Sequence, residues 1–142
     1  MIENQTYSFQ DFVDIIKRLR ADDGCPWDRE QTHQSLKKCL TEECNEVLEG
    51  IEIYESTGDW DNLCEELGDV LLQVVMHSVI AQEEGIFNID DVIQGISEKM
   101  VRRHPHVFGN GRADNASQVR MSWEEIKAQE KKEKEARKKE KR

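Results

Sequence analysis

The chain has little that would break a helix: two prolines and eight glycines in 142 residues. No collagen-like or disulfide-rich class fits that composition, which suits a helical protein with solvated outer faces. No stretch alternates apolar and polar residues over a useful length, and no segment repeats, so nothing argues for strands or a solenoid. Apolar runs fall short of the ~20 residues that span a bilayer. Met1 to Gln10 lacks the basic and apolar regions of a signal peptide, so the sequence reads as a cytoplasmic protein with no membrane partner. The four cysteines, Cys25, Cys39, Cys44 and Cys64, show neither C-x-x-C nor zinc-type spacing. They read as reduced, mostly packed thiols. A Walker-type glycine loop, a glycine-rich nucleophile elbow and a Cys/His signature are also missing, so P-loop phosphate binding and serine or cysteine nucleophiles find no support.

Positive charge is short in most of the chain. The formal net charge is -10, yet residues 127–142 hold nine Lys or Arg against four Glu, which leaves residues 1–126 at about -15. An acidic body argues against nucleic acid as a partner and suits a protein that concentrates cations, and any anionic ligand must then be met by local positive groups. One domain is expected over residues 1–126, followed by a Lys/Glu-rich tail over 127–142 that has no apolar stripe and reads as a frayed helix or disordered.

The periodicity predicts helices throughout. Ser8 caps a first helix with Phe9, Phe12, Val13, Ile16 and Leu19 on one stripe, ended by Asp22-Asp23-Gly24. Cys25-Pro26-Trp27-Asp28 reads as a turn or loop. A second helix runs from near Thr32 to about Tyr54, with Leu36, Leu40, Val47 and Ile51 inward, and Asp59 caps a third that stops at Gly85. Asp90 caps a fourth, which ends before Pro105. Residues 107–118 read as a loop, and the last helix starts at Ser122. The fold class is all-α, a helical bundle. Val70 to Ala81 is apolar almost all round, so the third helix should be enclosed by others, with Asp69 partly buried. Gly68, a poor helix former, would mark a close approach of a backbone, ligand or second helix.

Within this frame, four carboxylates fall into two pairs. Glu43 and Glu46 lie in Glu42-Glu43-Cys44-Asn45-Glu46, and Glu66 and Asp69 in Glu65-Glu66-Leu67-Gly68-Asp69. Residues three apart on a helix point the same way, so each pair forms a two-carboxylate claw. Two claws on adjacent antiparallel helices repel unless a cation neutralises them, and an all-oxygen donor set suits a hard divalent ion, Mg2+ or alternatively Mn2+. Charged residues on a long helix are usually only a wet face, which serves for Glu42, Glu49, Glu52 and Glu55 but not for two claws flanked by core positions. A di-iron bundle would use Glu-x-x-His pairs, and Glu30-Gln31-Thr32-His33 is the single match.

The positive counterpart is Lys99-Met100-Val101-Arg102-Arg103-His104-Pro105-His106. Lys99, Arg102 and Arg103 at the end of a helix make a compact anion-binding cluster, more than compensation of the helix dipole needs. Trp27 and Trp123 both sit beside polar, loop-proximal sequence, where an indole can stack on a base or fill a core gap.

Taken in order, Cys25-Pro26-Trp27-Asp28 through Leu36, Glu42-Glu43-Cys44-Asn45-Glu46, Glu65-Glu66-Leu67-Gly68-Asp69 and Arg102-Arg103-His104-Pro105-His106-Val107-Phe108 resemble the MazG family of nucleoside triphosphate pyrophosphohydrolases, over about Phe9 to Ile126. The resemblance implies an all-α fold that assembles as a homodimer, with a dimer of dimers as the larger alternative, and Mg2+ held by Glu43, Glu46, Glu66 and Asp69. It implies hydrolysis of a nucleoside triphosphate between the α and β phosphates, for nucleotide-pool housekeeping. Lys99, Arg102 and Arg103 would contact the triphosphate, with Trp123 near the nucleotide and Trp27 a further substrate-binding candidate. A neighbouring carboxylate, Glu42 or Glu46, would take the proton of the attacking water. From a different class, the chain also reads as a non-catalytic helical adaptor that binds nucleic acid through its basic tail.

Overall fold

A computed structural model describes residues 5–140, and among them every regular element is a helix. These are α1 (Phe9–Leu19), α2 (Pro26–Glu30), α3 (Lys37–Thr57), α4 (Asp61–Glu83), α5 (Ile89–Arg102), α6 (Pro105–Phe108) and α7 (Ala116–Glu140). The chain divides between Ile89 and Asp90 into two compact units. None of the helices is long and apolar enough to cross a membrane.

In the first unit, α1 opens with a capping box. The Asp11 N–H donates to Ser8 Oγ at 3.1 Å, and the Ser8 N–H donates to Asp11 Oδ2 at 2.9 Å. Its apolar stripe meets α4 through Val13 and Ile16, both buried, while Phe9 stays exposed. The segment expected as a loop at Cys25–Asp28 contains a one-turn helix, α2, because Pro26 at its first position already has the helical φ. Conversely, α3 starts at Lys37 and not near Thr32. Thr32 and Ser35 exchange reciprocal side-chain-to-backbone bonds of 2.8 and 3.0 Å, which give those amides a turn in place of a helix.

The α3–α4 hairpin is made by three residues. Gly58 takes the left-handed conformation (φ 79°) and donates its N–H to Tyr54 O at 2.8 Å, closing α3. The Asp59 carboxylate then accepts the Asp61 N–H at 3.0 Å, although α4 begins two residues after the expected cap. The core of this unit is Val13, Ile16, Leu36, Val75, Met76, Val79, Ile80, Ala81 and Ile89. Each large aliphatic member contributes about 1.5–3 kcal/mol by leaving water. Arg20 ties the end of α1 to the end of α4, donating to both Glu83 oxygens at 2.8 and 2.9 Å.

Three expectations about this unit are corrected. First, α4 is not enclosed all round: Leu67, Leu71 and Val74 form an exposed i, i+4, i+7 stripe, and Leu40 and Ile51 on α3, expected inward, are exposed too. Second, a Cβ at Gly68 would meet nothing within 4 Å. The close approach lies at Gly50, which is buried and where a Cβ would sit 3.0 Å from Leu63 Cα and 3.1 Å from its N. Third, Cys44 and Cys64 are exposed; all four cysteines are free. Gly50→Ala is therefore expected to destabilise the fold by about 1 kcal/mol net, overpacking of about 1–3 kcal/mol outweighing about 1 kcal/mol of helix propensity. Gly68→Ala should stabilise by up to about 1 kcal/mol, since only propensity changes. Urea unfolding of both variants checks the contrast.

In the second unit, α5 begins one residue before the expected cap, placing Asp90 and Asp91 in its first turn, where the helix dipole favours acids. Ile93 and Ile96 on this helix are exposed. Pro105 starts the single turn α6, whose last two residues, Val107 and Phe108, fall in the region read as a loop. The last helix begins at Ala116, six residues ahead of Ser122, because Asn115 Oδ1 accepts the Gln118 N–H at 3.0 Å and caps it. From there α7 runs unbroken through the Lys/Glu stretch to Glu140.

Candidate functional site

Helix geometry sets each acidic pair on one face, and the α3–α4 hairpin turns the two faces together. One carboxylate oxygen from each of Glu43, Glu46, Glu66 and Asp69 lies within 4.8 Å of the others. Glu43, Glu66 and Asp69 are half-buried, and Glu46 is exposed. Glu43 Oε2 and Glu66 Oε2 are buried with no hydrogen-bond partner. Buried polar atoms are nearly always satisfied, so two orphaned carboxylate oxygens in one cluster form an arrangement that a cation would satisfy.

The electrostatics agree. Glu66 is pushed up to about 7, first by the Glu46 carboxylate in hydrogen-bonding range, then by burial and by Asp69. Burial raises Glu43, and the charges of Asp69, Glu46 and Glu42 add to it. No Lys or Arg among the described residues pairs with any of the four; Lys38 pairs with Glu42, at 3.9 Å between exposed side chains. Glu42 thus stands outside the four-oxygen cluster and acts on it only through its field. An all-oxygen set of this kind fits a hard divalent ion.

The histidines do not extend this centre. His33 faces away from Glu30; its Nδ1 is 2.8 Å from His77 Nδ1 and its Nε2 is 2.6 Å from Glu84 Oε1, with the two imidazoles stacked at 5.1 Å. Among the described residues the four carboxylates are the one cluster with metal-ligand spacing. Trp27, on α2, is 58% exposed.

In the second unit, Arg102 and Arg103 at the end of α5 share a carboxylate from α7. Glu130 Oε1 accepts from Arg102 Nε, and Glu130 Oε2 accepts from Arg103 Nη2 at 2.9 Å and Nε at 3.3 Å. The two guanidiniums hold Glu130 down to about 2. Arg103 also lies over the Trp123 ring, 5.9 Å from its centroid, and His104 packs on the same indole at 6.0 Å. Trp123 Nε1 and His106 Nδ1 are buried without partners. Lys99 and Arg102 of α5 and Arg103 just after it line one cleft with Lys127, Lys131, Lys134 and Arg137 of α7, in which Glu130 and Glu133 are the acids.

Glu130 and the α7 lysines were missed by reading residues 127–142 as a tail. The usable signal was spacing: Lys127, Lys131 and Lys134 fall at i, i+4, i+7, one helical face, with Glu130 between them.

Residues 31–108 match the family described as the MazG nucleotide pyrophosphohydrolase domain. The chain is 52% identical over 123 residues to a nucleoside triphosphate pyrophosphohydrolase/pyrophosphatase MazG of Thermotoga maritima, covering 87% of this chain and 45% of the relative. It is 47% identical over 117 residues to a nucleoside triphosphate pyrophosphohydrolase of Escherichia coli, covering 82% and 43%. It is 54% identical over 125 residues to an uncharacterised Bacillus subtilis protein, YabN, covering 88% and 25%. The chain thus spans between a quarter and about half the length of these relatives. A crystal structure of a mazG-related protein from Thermotoga maritima superposes with a TM-score of 0.66 at 28% identity, over 84% of this chain and 98% of that one. With more than half of its residues inside the matched domain and the same all-α architecture, this chain belongs to the MazG nucleotide pyrophosphohydrolase domain family.

Proposed function

We propose that this chain hydrolyses nucleoside triphosphates between the α and β phosphates, giving a nucleoside monophosphate and pyrophosphate, with Mg2+ as the working cation and Mn2+ able to replace it. The observation that carries this reading is the pair of buried, partnerless oxygens, Glu43 Oε2 and Glu66 Oε2, within a cluster of four carboxylates that no basic side chain among the described residues pairs with. Relatives named nucleoside triphosphate pyrophosphohydrolases, alike over more than four-fifths of this chain, support the reaction class.

Glu43, Glu46, Glu66 and Asp69 would hold the cation. Bound there, it supplies a Lewis acid for a phosphoryl oxygen and makes a water more acidic. Glu42, in solvent beside the cluster, is the carboxylate left free to take the proton of the attacking water, with Glu46 as the alternative. Lys99, Arg102 and Arg103 bind phosphate oxygens and offset the charge that builds on departing pyrophosphate. Trp123 and Trp27 offer aromatic faces to the nucleotide. A second copy of the chain would cover the exposed stripes of Leu40, Ile51 and Tyr54 on α3 and Leu67, Leu71 and Val74 on α4, which is the reason to read the working form as a homodimer.

Purified protein with Mg2+ and a nucleotide panel is expected to release pyrophosphate and monophosphate in equal amounts. Orthophosphate as the first product would defeat the assignment. An inactive protein whose nucleic-acid binding vanishes on removal of residues 127–142 would favour the adaptor reading.

A further inference from the structure

The α7 cleft contains an acid where an anion site would be expected to exclude one. Glu130 lines it together with seven cationic side chains, and its own side chain is 21% exposed. It bonds Arg102 through Nε alone and Arg103 through Nε and Nη2. Both guanidiniums are therefore gripped along their Nε side, which leaves Nη1 of each, and Nη2 of Arg102, free to donate. Adjacent arginines repel each other, and long side chains lose rotamer freedom when a ligand orders them. One carboxylate bridging the two removes the repulsion and orders both before any ligand arrives. Arg103 is fixed from a second direction by the Trp123 face, with its side chain only 14% exposed.

We propose that Glu130 is a positioning residue for a phosphate chain, holding Arg102 and Arg103 side by side with their free N–H groups presented together. This rests on the triphosphate reading above and adds to it a residue from the stretch that sequence alone reads as a tail. Glu130 makes no contact with phosphate itself. It acts through the two arginines.

The alternative role for such an acid is simple competition, and the two roles predict opposite signs. Glu130→Gln raises the positive charge of the cleft by one, so a competitor's removal tightens anion binding. Removal of a positioning group weakens it, because the amide oxygen can serve only one guanidinium. Glu133 lines the same cleft without bonding either arginine, and its carboxylate accepts from Gln129 Nε2 at 3.3 Å. Glu133→Gln makes the same charge change and serves as the control.

The test uses the full chain and two readouts: binding of inorganic tripolyphosphate by calorimetry, and steady-state kinetics with a nucleoside triphosphate and Mg2+. Glu130→Gln is expected to weaken tripolyphosphate about tenfold and to raise KM more than it lowers kcat, with Glu130→Asp recovering part of both. Glu133→Gln should leave tripolyphosphate binding unchanged or tighter. Unchanged or tighter binding in Glu130→Gln overturns the proposal, as does equal weakening in Glu133→Gln, or a wild-type chain that does not bind tripolyphosphate. Far-UV circular dichroism separates these outcomes from loss of α7. If the wild-type chain hydrolyses no nucleotide while Glu130→Gln still loosens tripolyphosphate, the enzymatic reading fails and the positioning role stands. If the wild type is active and the variant matches it in both readouts, the reverse holds.

Discussion

Asp69→Asn should cut pyrophosphate release at least about a thousandfold while leaving the helical content intact. Asparagine keeps the size of the side chain and removes its charge, so packing beside the buried run of α4 changes little. What is lost is one of four anionic donors for the cation. A metal site worth about 4 kcal/mol of transition-state stabilisation corresponds to three decades of rate. The metal-free fold should not weaken, because Asp69 is one of the charges that raise Glu43 and Glu66. Steady-state kinetics and a thermal melt in chelator check both halves. Turnover within tenfold of wild type would remove Asp69 from the site, and a collapsed melt would mean that its role is structural.

Metal removal should be equally severe, and its effect on stability should depend on pH in a definite direction. In chelator, activity falls to background. The Glu66 carboxyl titrates at about 7 in the folded chain against an ordinary 4.5, so between those values the folded state holds a proton that the unfolded state has released. Stability from that proton is complete below about 4.5 and is lost as pH rises through about 7; Glu43, also raised, acts with the same sign. The share of metal-free stability held by Glu66 and Glu43 should therefore fall from pH 5 to pH 8, against the opposite contribution of His77, whose imidazole burial pushes down, and the difference in melting temperature from Glu66→Gln isolates it. Under the proposed reading Mg2+ would take the place of those protons, so its stabilisation, about 2.7 kcal/mol at a hundred times its dissociation constant, would belong to the high-pH side. Scanning calorimetry at pH 5 and pH 8, with and without Mg2+, should show a larger Mg2+ shift at pH 8. Glu66→Gln should flatten both the pH slope and the shift. Equal shifts at the two pH values, or in the variant, would count against a shared cation site.

How much of this was legible in the sequence depends on how local each cause is. The convergence of Glu43 with Glu46 and of Glu66 with Asp69 follows from three-residue spacing on any helix, and a short connection makes the two helices antiparallel, so the cluster could be read directly. The capping box at Ser8 and Asp11 is equally local. Side chains that compete for the backbone are harder: the Thr32–Ser35 exchange delays α3 by five residues, and the Asn115 cap starts α7 early. Register between helices is not local at all. Gly50 and Gly68 look alike in sequence, but only Gly50 falls where the α4 backbone passes. Likewise an apolar stripe states that something must cover it without stating what, which is why Leu40, Ile51, Leu71 and Val74 read as core and emerged exposed. Glu130 was hidden for a related reason. A lone acid among lysines looks like solvated charge until α5 and α7 bring it between Arg102 and Arg103.

Calorimetric titration of the metal-free chain with Mg2+ at pH 8, repeated on Asp69→Asn and Glu66→Gln, addresses the four-carboxylate centre without relying on turnover. Saturable Mg2+ binding in the wild type that is lost or at least about tenfold weaker in each variant is what a jointly held cation requires. Wild-type protein that binds no Mg2+, or variants that bind it equally well, would contradict it.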